Sequence, residues 1–495
     1  MIWLLSFALL GCEDFLTVVP ETSLSPGIFF KTESDFKQAV NAAYVPLRSI
    51  VNDRAWLLNE MHSDNSYYAR NILFGATEQQ EDIADFAIPT TAGITTNIHV
   101  LNQYRLDYLI IGRTNQVLAL IDGVEFDAVS KANLKGQAHF LRAYAYFELV
   151  QYFGKVPLHL EPVTGRADAP LPLSEVSAIY AQIISDATAA TTELLPRSTQ
   201  ELGRATSGAA KTLLGTVYMV QKNWSQAETL FKDVVSSNAY SLIPNYANIF
   251  STSTANKNNA ESVFEVQFQE GAAGYQGTFM YNFMPRPMTG PELVTLAGTS
   301  NPQALTGEGN NTPTPDLIAA YETGDLRRDA SIGTITLSGS LRANKVYPYI
   351  KKYVKPHALH NNHGMNWPIY RYAEVLLSLA EVLNEQGKNV EAATHLNTIR
   401  TRAGLAATTA ATTADLRVAI ARDRRIELAF ENKRWFDLVR TGKAIEVITA
   451  YGAQVKANPL DYYYPAGNIP RSIAFTNISL LYGLPADEAA LNPFF

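Results

Sequence analysis

The sequence predicts a mostly α-helical protein on a tetratricopeptide-repeat-like scaffold, an α/α superhelix, with a loop-rich middle region that contains short β-strands. Apolar stripes at helical spacing occur before residue 237 and after residue 365. Small and large residues also recur at the offsets by which paired helices interlock. Between about residues 237 and 365, Gly, Pro, Asn, Ser and Thr are dense and no long helical stripe persists.

Long helices are predicted in the first third of the chain. The apolar spacing places them at about residues 34–50, 100–121 and 131–153. The third helix is followed by Gly154, a residue that readily takes the left-handed conformation in which many helices end. Together with the segments that follow, these helices make up the first part of the predicted scaffold, residues 31–236.

Two helix pairs match the tetratricopeptide pattern, in which small residues on one helix receive large residues from the next. The first pair carries the pattern at Leu214, Gly215, Tyr218, Ala227 and Phe231. The second pair carries it at Leu379, Ala380, Leu383, Ala392 and Leu396. Two independent matches predict that the scaffold resumes after the middle region and occupies residues 366–450.

The middle region, about residues 237–365, is expected to be an insert on the ligand side of the scaffold. Residues 262–268 alternate as a short strand, and 334–337 and 346–354 are further candidate strands. Loops on a rigid scaffold commonly carry binding residues. Tyr275 and Tyr281 are therefore candidate ligand contacts, with simple packing of the loop onto the scaffold as the alternative for each.

Composition and motifs exclude several classes of function. The chain has 495 residues, a formal net charge of −7 and no basic patch, so nucleic acid is not an expected partner. G-x-S-x-G, P-loop and dinucleotide-binding motifs are absent. A glycoside hydrolase needs two carboxylates at a set separation, and no motif singles out such a pair. We therefore expect no catalytic residues and no enzyme activity.

Three histidines form an H-x-x-H-x-x-H pattern at His357, His360 and His363. Three imidazoles can bind a transition metal. Asn and Gly residues among them indicate a loop, however, where equal spacing does not fix ligand geometry. We expect neither a metal site nor a cofactor.

The N-terminus carries the only cysteine of the chain. Residues 2–10 are apolar, too short a run to span a bilayer, and Gly11 and Cys12 follow. This order is typical of a bacterial lipoprotein signal, in which the cysteine takes the lipid. The sequence thus predicts a signal peptide at residues 1–11, lipid attachment at Cys12 and a tether over residues 12–30.

The stretch from Arg424 to Arg440 combines arginines, acids and large apolar groups. Asn432 interrupts it and, because Asn tolerates a left-handed backbone, can separate two helices. Charged residues three apart are neighbours on a helix. The expected pairs are Arg424 with Glu427, Arg434 with Asp437 and Asp437 with Arg440. With large apolar neighbours, Glu427, Arg434, Asp437 and Arg440 are predicted to form a partly buried, structural ion network.

Several of these segments resemble the SusD/RagB family. The C-terminal pattern with Arg434-Trp435-Phe436-Asp437 at its centre is similar to the signature of that family. Residues 152–158, 372–377 and 380–384 resemble further family motifs. The family usually has Gly where this chain has Asn432. The resemblance covers nearly the whole predicted domain, residues 31–495, and is weakest in the middle third.

The resemblance implies a surface lipoprotein that binds nutrients. Such a protein captures a glycan or oligosaccharide and delivers it to a SusC-like TonB-dependent outer-membrane transporter. The lipid on Cys12 would hold it in the outer membrane, and the acids Glu13 and Asp14 are consistent with a position facing the cell exterior. The alternatives are a protein-interaction scaffold or a peptide-binding subunit of such a transporter complex.

Candidate ligand residues follow from how proteins bind sugars. Aromatic rings cover apolar sugar faces, while polar and charged groups bind the hydroxyls. One stretch in the N-terminal part, where the family often has ligand contacts, offers both kinds of group. With the two tyrosines of the middle region, the predicted contacts are Asp64, Asn65, Tyr67, Tyr68, Arg70, Tyr275 and Tyr281.

Overall fold

The structure, a computed structural model, describes residues 29–53, 56–70, 78–253, 256–304, 309, 311–338 and 346–495. Cys12 and most of the predicted tether lie outside these residues. The α-helices are α1 (Glu33–Asp53), α2 (Glu78–Ala84), α3 (Ile98–Leu120), α4 (Ala128–Phe153), α5 (Val176–Glu193), α6 (Ser207–Val220), α7 (Trp224–Ser236), α8 (Gly290–Ala297), α9 (Pro315–Ala320), α10 (Leu326–Ser331), α11 (Tyr372–Glu385), α12 (Asn389–Arg402), α13 (Thr413–Glu427), α14 (Arg434–Arg440), α15 (Ala444–Ala457) and α16 (Ala486–Leu491). The strands are β1 (Ser66–Tyr68), β2 (Ile94–Thr95), β3 (Ser262–Val266), β4 (Asn311–Pro313), β5 (Ile332–Thr336), β6 (Val346–Ile350), β7 (Trp367–Arg371) and β8 (Leu484–Pro485).

The longer helices stack into one continuous array. Helices α3 to α7 each pack against the next along the chain, and α1 packs against both α3 and α4. Helix α7 then packs against α11, which packs against α12 and α13. The chain therefore leaves the array after Ser236 and re-enters it at Tyr372, and the predicted tetratricopeptide-like helical fold is confirmed.

The close approach of α6 and α7 illustrates the repeat pattern. A Cβ atom on Gly215 would lie 2.9 Å from the ring of Phe231, closer than carbon atoms can approach. Gly215, the predicted small residue on α6, thus makes room for Phe231, the predicted large residue on α7. Because a fully buried phenylalanine contributes about 1.5–3 kcal/mol of hydrophobic free energy, this contact favours the paired arrangement.

The ends of the helices follow local sequence chemistry. Helix α4 begins after Asp127, whose side chain accepts a hydrogen bond of 2.8 Å from the Ser130 N–H. It ends at Phe153, and the next residue, Gly154, has a φ of 71° as glycine allows. The predicted helices at 34–50 and 100–121 correspond to α1 and α3, with ends displaced by one to three residues.

The strands are short and pair in twos. Strands β3 and β7 are antiparallel and join the start of the middle region to the residue before α11. Strands β5 and β6 form an antiparallel pair, as do β1 and β4, whereas β2 and β8 are parallel. The predicted strands at 262–268, 334–337 and 346–354 correspond to β3, β5 and β6. The middle region is thus paired with both parts of the scaffold sequence, through β1 and β4 on the N-terminal side and through β3 and β7 at the start of α11.

The main apolar core continues from the helical array into the middle region. Its aromatic centre there is Trp367, whose ring stacks on Tyr353 with centroids 4.9 Å apart and lies 5.2 Å from that of Phe279. These rings are buried. None of the helices within the described ranges has the length and apolar character needed to span a lipid bilayer.

Candidate functional site

The predicted ligand segment at residues 64–70 lies in the interior. Asp64, Asn65, Tyr67 and Tyr68 are all buried, with at most 4% of their surface exposed. Phe74, which flanks this segment in the sequence, is outside the described residues. A ring without an exposed face cannot stack on a sugar from solution. We therefore correct the expected role of this segment from ligand contact to internal support.

Asp64 is buried because two arginines from the C-terminal helices surround it. Its carboxylate accepts hydrogen bonds from Arg434 at 2.7 and 2.9 Å and pairs with Arg425 at 2.9 Å. Burial alone would raise the pKa of Asp64, but the two guanidiniums outweigh it and lower that pKa to about 2. Asn65 accepts a further bond of 2.8 Å from Arg425. The side chains of Asp64 and Asn65, which were expected to face a ligand, thus bind arginines of the same protein.

Arg70 is similarly engaged within the protein. Its guanidinium pairs with Asp85 at 2.7 Å and with Glu81 at 3.2 Å. It also lies 4.0 Å from the ring centroid of Tyr464, a cation–π contact. The Tyr67 hydroxyl donates a hydrogen bond to the same Asp85 carboxylate. Arg70 and Tyr67 thus bind acids and rings of the protein itself.

Tyr281 is also buried and contacts the histidine-rich loop. Its hydroxyl and Nε2 of His357 are 2.9 Å apart, and His360 packs edge-on against its ring. His363 is buried, and Phe279 packs against its ring. Within the described ranges, no group of three or more His, Cys, Asp or Glu side chains is arranged to bind a metal ion. We therefore assign Tyr281 to packing.

The residues of the predicted ion network fall into two clusters, around Asp437 and Glu427, and one separate pair, Arg434 with Asp64. Asp437 contacts Arg440 at 2.7 Å, the expected pair, and also Arg424 at 2.8 Å. Arg434 contacts Asp64, not Asp437, because it points toward the N-terminal segment. Glu427 does not pair with Arg424 and belongs to the other cluster. These two expected pairs were wrong because spacing along a helix cannot reveal partners on other elements.

The second cluster is centred on Glu427, which is fully buried. Its carboxylate contacts Arg402 at 2.5 Å, Arg371 at 3.1 Å and Arg327 at 3.4 Å. Burial alone would raise the pKa of Glu427, but the three guanidiniums outweigh it and hold that pKa below its ordinary value. Arg371 also binds Glu431 at 2.7 Å. This cluster joins helices α10, α12 and α13 to strand β7.

The link between α13 and α14 is bound by the π-helical turn Trp56–Met61. Phe430 and Asn432 have φ values of 69° and 62°, so the predicted left-handed break at Asn432 is confirmed and extends to a second residue. Their N–H groups donate hydrogen bonds of 2.8 and 3.1 Å to the Glu60 carboxylate. Asn59 caps α14 by accepting a bond of 2.8 Å from the Trp435 N–H.

A small cavity of about 60 Å³ lies beneath this link. Glu148 lines it together with Tyr144, Lys433 and Asp437. Burial raises the pKa of Glu148 to about 7, and the positive charge of Lys433 offsets only part of that effect. Buried Asp107 also has a raised pKa, caused first by burial and then by the charge of Glu148.

Glu148→Gln is expected to make folding stability less dependent on pH. The folded state holds the Glu148 proton up to pH 7, whereas the unfolded chain releases it near its ordinary value, so stability falls as pH rises between these values. The variant should therefore gain about 2 kcal/mol relative to the parent between pH 5 and pH 8. Urea unfolding at both pH values measures this difference. Parallel pH profiles for the parent and Glu148→Gln would contradict the assignment, and Glu446→Gln, at an exposed acid on α15, is the control.

The Tyr275 groove is an open depression of about 350 Å³ between α1, the loop at residues 202–204 and strand β3. Of the aromatic side chains in the described ranges, only Tyr275 and Phe494 are exposed, at 47% and 56%. The Tyr275 ring lies at the side of the groove, and the Arg48 guanidinium carbon is 4.9 Å from its centroid. Tyr275 is thus the predicted ligand residue that the structure leaves accessible.

Arg48 was not a predicted site residue. It projects from α1 into the Tyr275 groove, which Asn41 of the same helix also lines. A sequence signal exists: none of the residues three or four positions from Arg48 on either side is acidic, so no helical neighbour neutralises it. The groove itself could not be foreseen, because its other walls come from residues 202–204 and 264–267.

A second, larger groove of about 600 Å³ lies between the loop at residues 86–93 and the segment 477–484. Phe86, Phe153 and Tyr482 line it, but each is at most 7% exposed. Its one lysine, Lys155, pairs with Glu175 at 2.6 Å. This groove presents neither an exposed ring nor a charge without a partner, so the Tyr275 groove is the better candidate site.

Two family models match the chain. The model of the SusD family matches residues 331–492. A model described as starch-binding and associating with the outer membrane matches residues 14–219. The two matches fall on the two parts of the helical scaffold and leave most of the middle region between them.

Named relatives match the chain in sequence, and solved structures match its fold, over most of their length. A SusD-like protein of Formosa agariphila is 26% identical over 490 residues, which covers 90% of this chain and 89% of the relative. The structure of a laminarin-binding SusD-like protein superposes with a TM-score of 0.70 at 25% identity, covering 92% of this chain and 100% of that one. Surface glycan-binding protein A from Bacteroides uniformis superposes with a TM-score of 0.72 at 25% identity, covering 94% and 99%.

Proposed function

Because the chain belongs to the SusD family, we propose that it binds a glycan or oligosaccharide at the cell surface and delivers it to a SusC-like TonB-dependent transporter. Relatives named for laminarin and surface-glycan binding support the ligand class. The relatives are named for binding and not for catalysis, which agrees with a non-enzymatic role. The family description supports an outer-membrane location, and Cys12 is the proposed lipid attachment site.

The observation that carries the proposal is the exposed ring of Tyr275 beside an open groove. A sugar ring presents an apolar face that aromatic side chains cover, together with hydroxyls that polar groups bind. Asn41 and Arg48 supply such polar groups along one face of α1. They are seven residues apart, or about two helical turns and ~10 Å.

The alternative function, a protein-interaction scaffold without a glycan ligand, has less structural support. Exposed apolar side chains such as Val390 and Val418, at 84% and 71% exposure, lie on separate helices of the array. Single exposed apolar residues are normal on soluble surfaces. They do not define a partner surface in the way that the Tyr275 groove defines a ligand site.

Tyr275→Ala is expected to weaken glycan binding by about tenfold or more, because it removes the stacking surface. Tyr275→Phe keeps the ring and should retain most of the affinity. Affinity electrophoresis on a polysaccharide panel identifies the ligand, and calorimetry on the purified full chain then measures the change. Phe494→Ala, at the other exposed aromatic residue, is the matched control. Equal affinity of Tyr275→Ala and the parent would reject this site.

A further inference from the structure

Arg48 places a positive charge in the Tyr275 groove, and no acid among the described residues pairs with it. A guanidinium carries five N–H donors. In the part of the chain that the structure describes, none of them donates a hydrogen bond and no carboxylate forms an ion pair with Arg48. Its one contact of this kind is the cation–π contact with Tyr275, at 4.9 Å. Two buried arginines, Arg327 and Arg371, by contrast pair with three acids each.

The other charged groups of the groove are engaged within the protein. Arg204 donates hydrogen bonds of 3.2 Å to Glu201 and to Gln137. Glu265 accepts bonds of 2.6 Å from the Asn258 N–H and from the Asn366 amide. Burial raises the pKa of Glu265, which also lines this groove. Among the described residues that line the groove, Arg48 is therefore the charged group whose charged end forms no hydrogen bond or ion pair.

We propose that the Tyr275 groove selects acidic glycans, with Arg48 binding a carboxylate or sulfate group of the sugar that stacks on Tyr275. This inference rests on the proposed glycan-binding function and names the class of glycan. The planar guanidinium matches two oxygens of a carboxylate or sulfate at once. The neighbouring ring supplies the apolar contact.

The overall charge of the protein makes this local arrangement significant. With a formal net charge of −7, the chain repels anionic polymers in general. Capture of an acidic glycan therefore needs a local positive group that no protein acid neutralises. Arg48 meets that requirement, and its guanidinium carbon lies over the Tyr275 ring, 4.9 Å from the ring centroid.

Matched pairs of oligosaccharides test the charge preference on the unmodified protein. The probes are oligogalacturonate with its methyl ester, and a κ-carrageenan oligosaccharide with its desulfated form. We expect at least one acidic member to bind about tenfold tighter than its neutral counterpart. Because salt screens the interaction, the preference should shrink between 0.05 and about 1 M NaCl. Calorimetry on the full chain measures each affinity.

Variants connect the preference to Arg48. Arg48→Gln should abolish the difference between the acidic and neutral members, whereas Arg48→Lys, which keeps the charge but not the planar fork, should retain part of it. Lys37→Gln removes a positive charge from the same helix, where Lys37 pairs with Glu33 at 2.7 Å, and should change neither affinity. Thermal melting of each variant verifies that the fold is intact.

The possible results distinguish the acidic-glycan inference from the proposed glycan-binding function on which it rests. Equal binding of acidic and neutral members by the parent, or a preference that survives Arg48→Gln, overturns the acidic-glycan inference. In either case, loss of neutral-glycan binding in Tyr275→Ala would still support the proposed function. A parent protein that binds neither these probes nor any neutral polysaccharide of the panel overturns both.

Discussion

Replacing Glu427 with alanine is expected to lower the free energy of unfolding by about 3–5 kcal/mol, because removal of one partner from a buried ion cluster leaves the opposite charges uncompensated. Glu427 is fully buried and contacts Arg327, Arg371 and Arg402. Without its carboxylate, three guanidiniums would remain close together in the interior. Chemical denaturation of Glu427→Ala and the parent measures the loss.

A surface pair provides the comparison for Glu427. Glu446 contacts Lys443 at 2.8 Å, but its side chain is 71% exposed. Exposed ion pairs contribute only about 0–1 kcal/mol, so Glu446→Ala should change stability little. Similar losses of unfolding free energy in Glu427→Ala and Glu446→Ala would mean that burial does not determine how much the Glu427 cluster contributes to stability.

Asp437→Ala is expected to lower stability by about 3 kcal/mol while the glycan affinity of the folded protein stays unchanged. Burial alone would raise the pKa of Asp437, but Arg424 and Arg440 outweigh it and lower that pKa to about 2, so the group is ionised at neutral pH. Arg440 also pairs with Glu381 on α11, and Arg424 with Glu374. Loss of Asp437 would loosen the attachment of α14 to the scaffold, and Asp437 does not line the Tyr275 groove.

Two measurements on Asp437→Ala distinguish a structural role from a binding role. Thermal melting should shift downward, and calorimetry at a temperature where the variant is folded should give the parent affinity. Asp122→Ala serves as the control, because Asp122 is 66% exposed and pairs only at the surface with Lys135. Unaltered melting with lost binding would show instead that Asp437 belongs to the ligand site.

The sequence predicted the elements whose signals are local. Helical spacing gave α3 and α4 to within three residues, and Gly215 with Phe231 gave the packing of α6 on α7. The left-handed backbone at Asn432 also follows from the residue type. Each of these features depends on residues that are near in the chain or on the conformational range of one residue.

The candidate site was only partly predictable because burial depends on distant partners. The polar stretch from Asp64 to Arg70 has the composition of an exposed loop, yet Arg425 and Arg434 take it into the interior. Tyr275 and Tyr281 are equivalent in the sequence, and packing against the histidine loop buries only the second. Arg48 lies in a groove whose walls come from three separate segments.

The contact between Asp64 and Arg434 also determines when the chain can complete its fold. The two residues are 370 positions apart, and the Glu60 contact with Asn432 spans 372. During synthesis, the N-terminal acids exist long before the arginines and amide groups that bind them. Closing so long a loop costs chain entropy, and such distant contacts slow folding. We therefore expect the N-terminal segment to complete its packing late in folding, after the C-terminal residues that bind it have been synthesised.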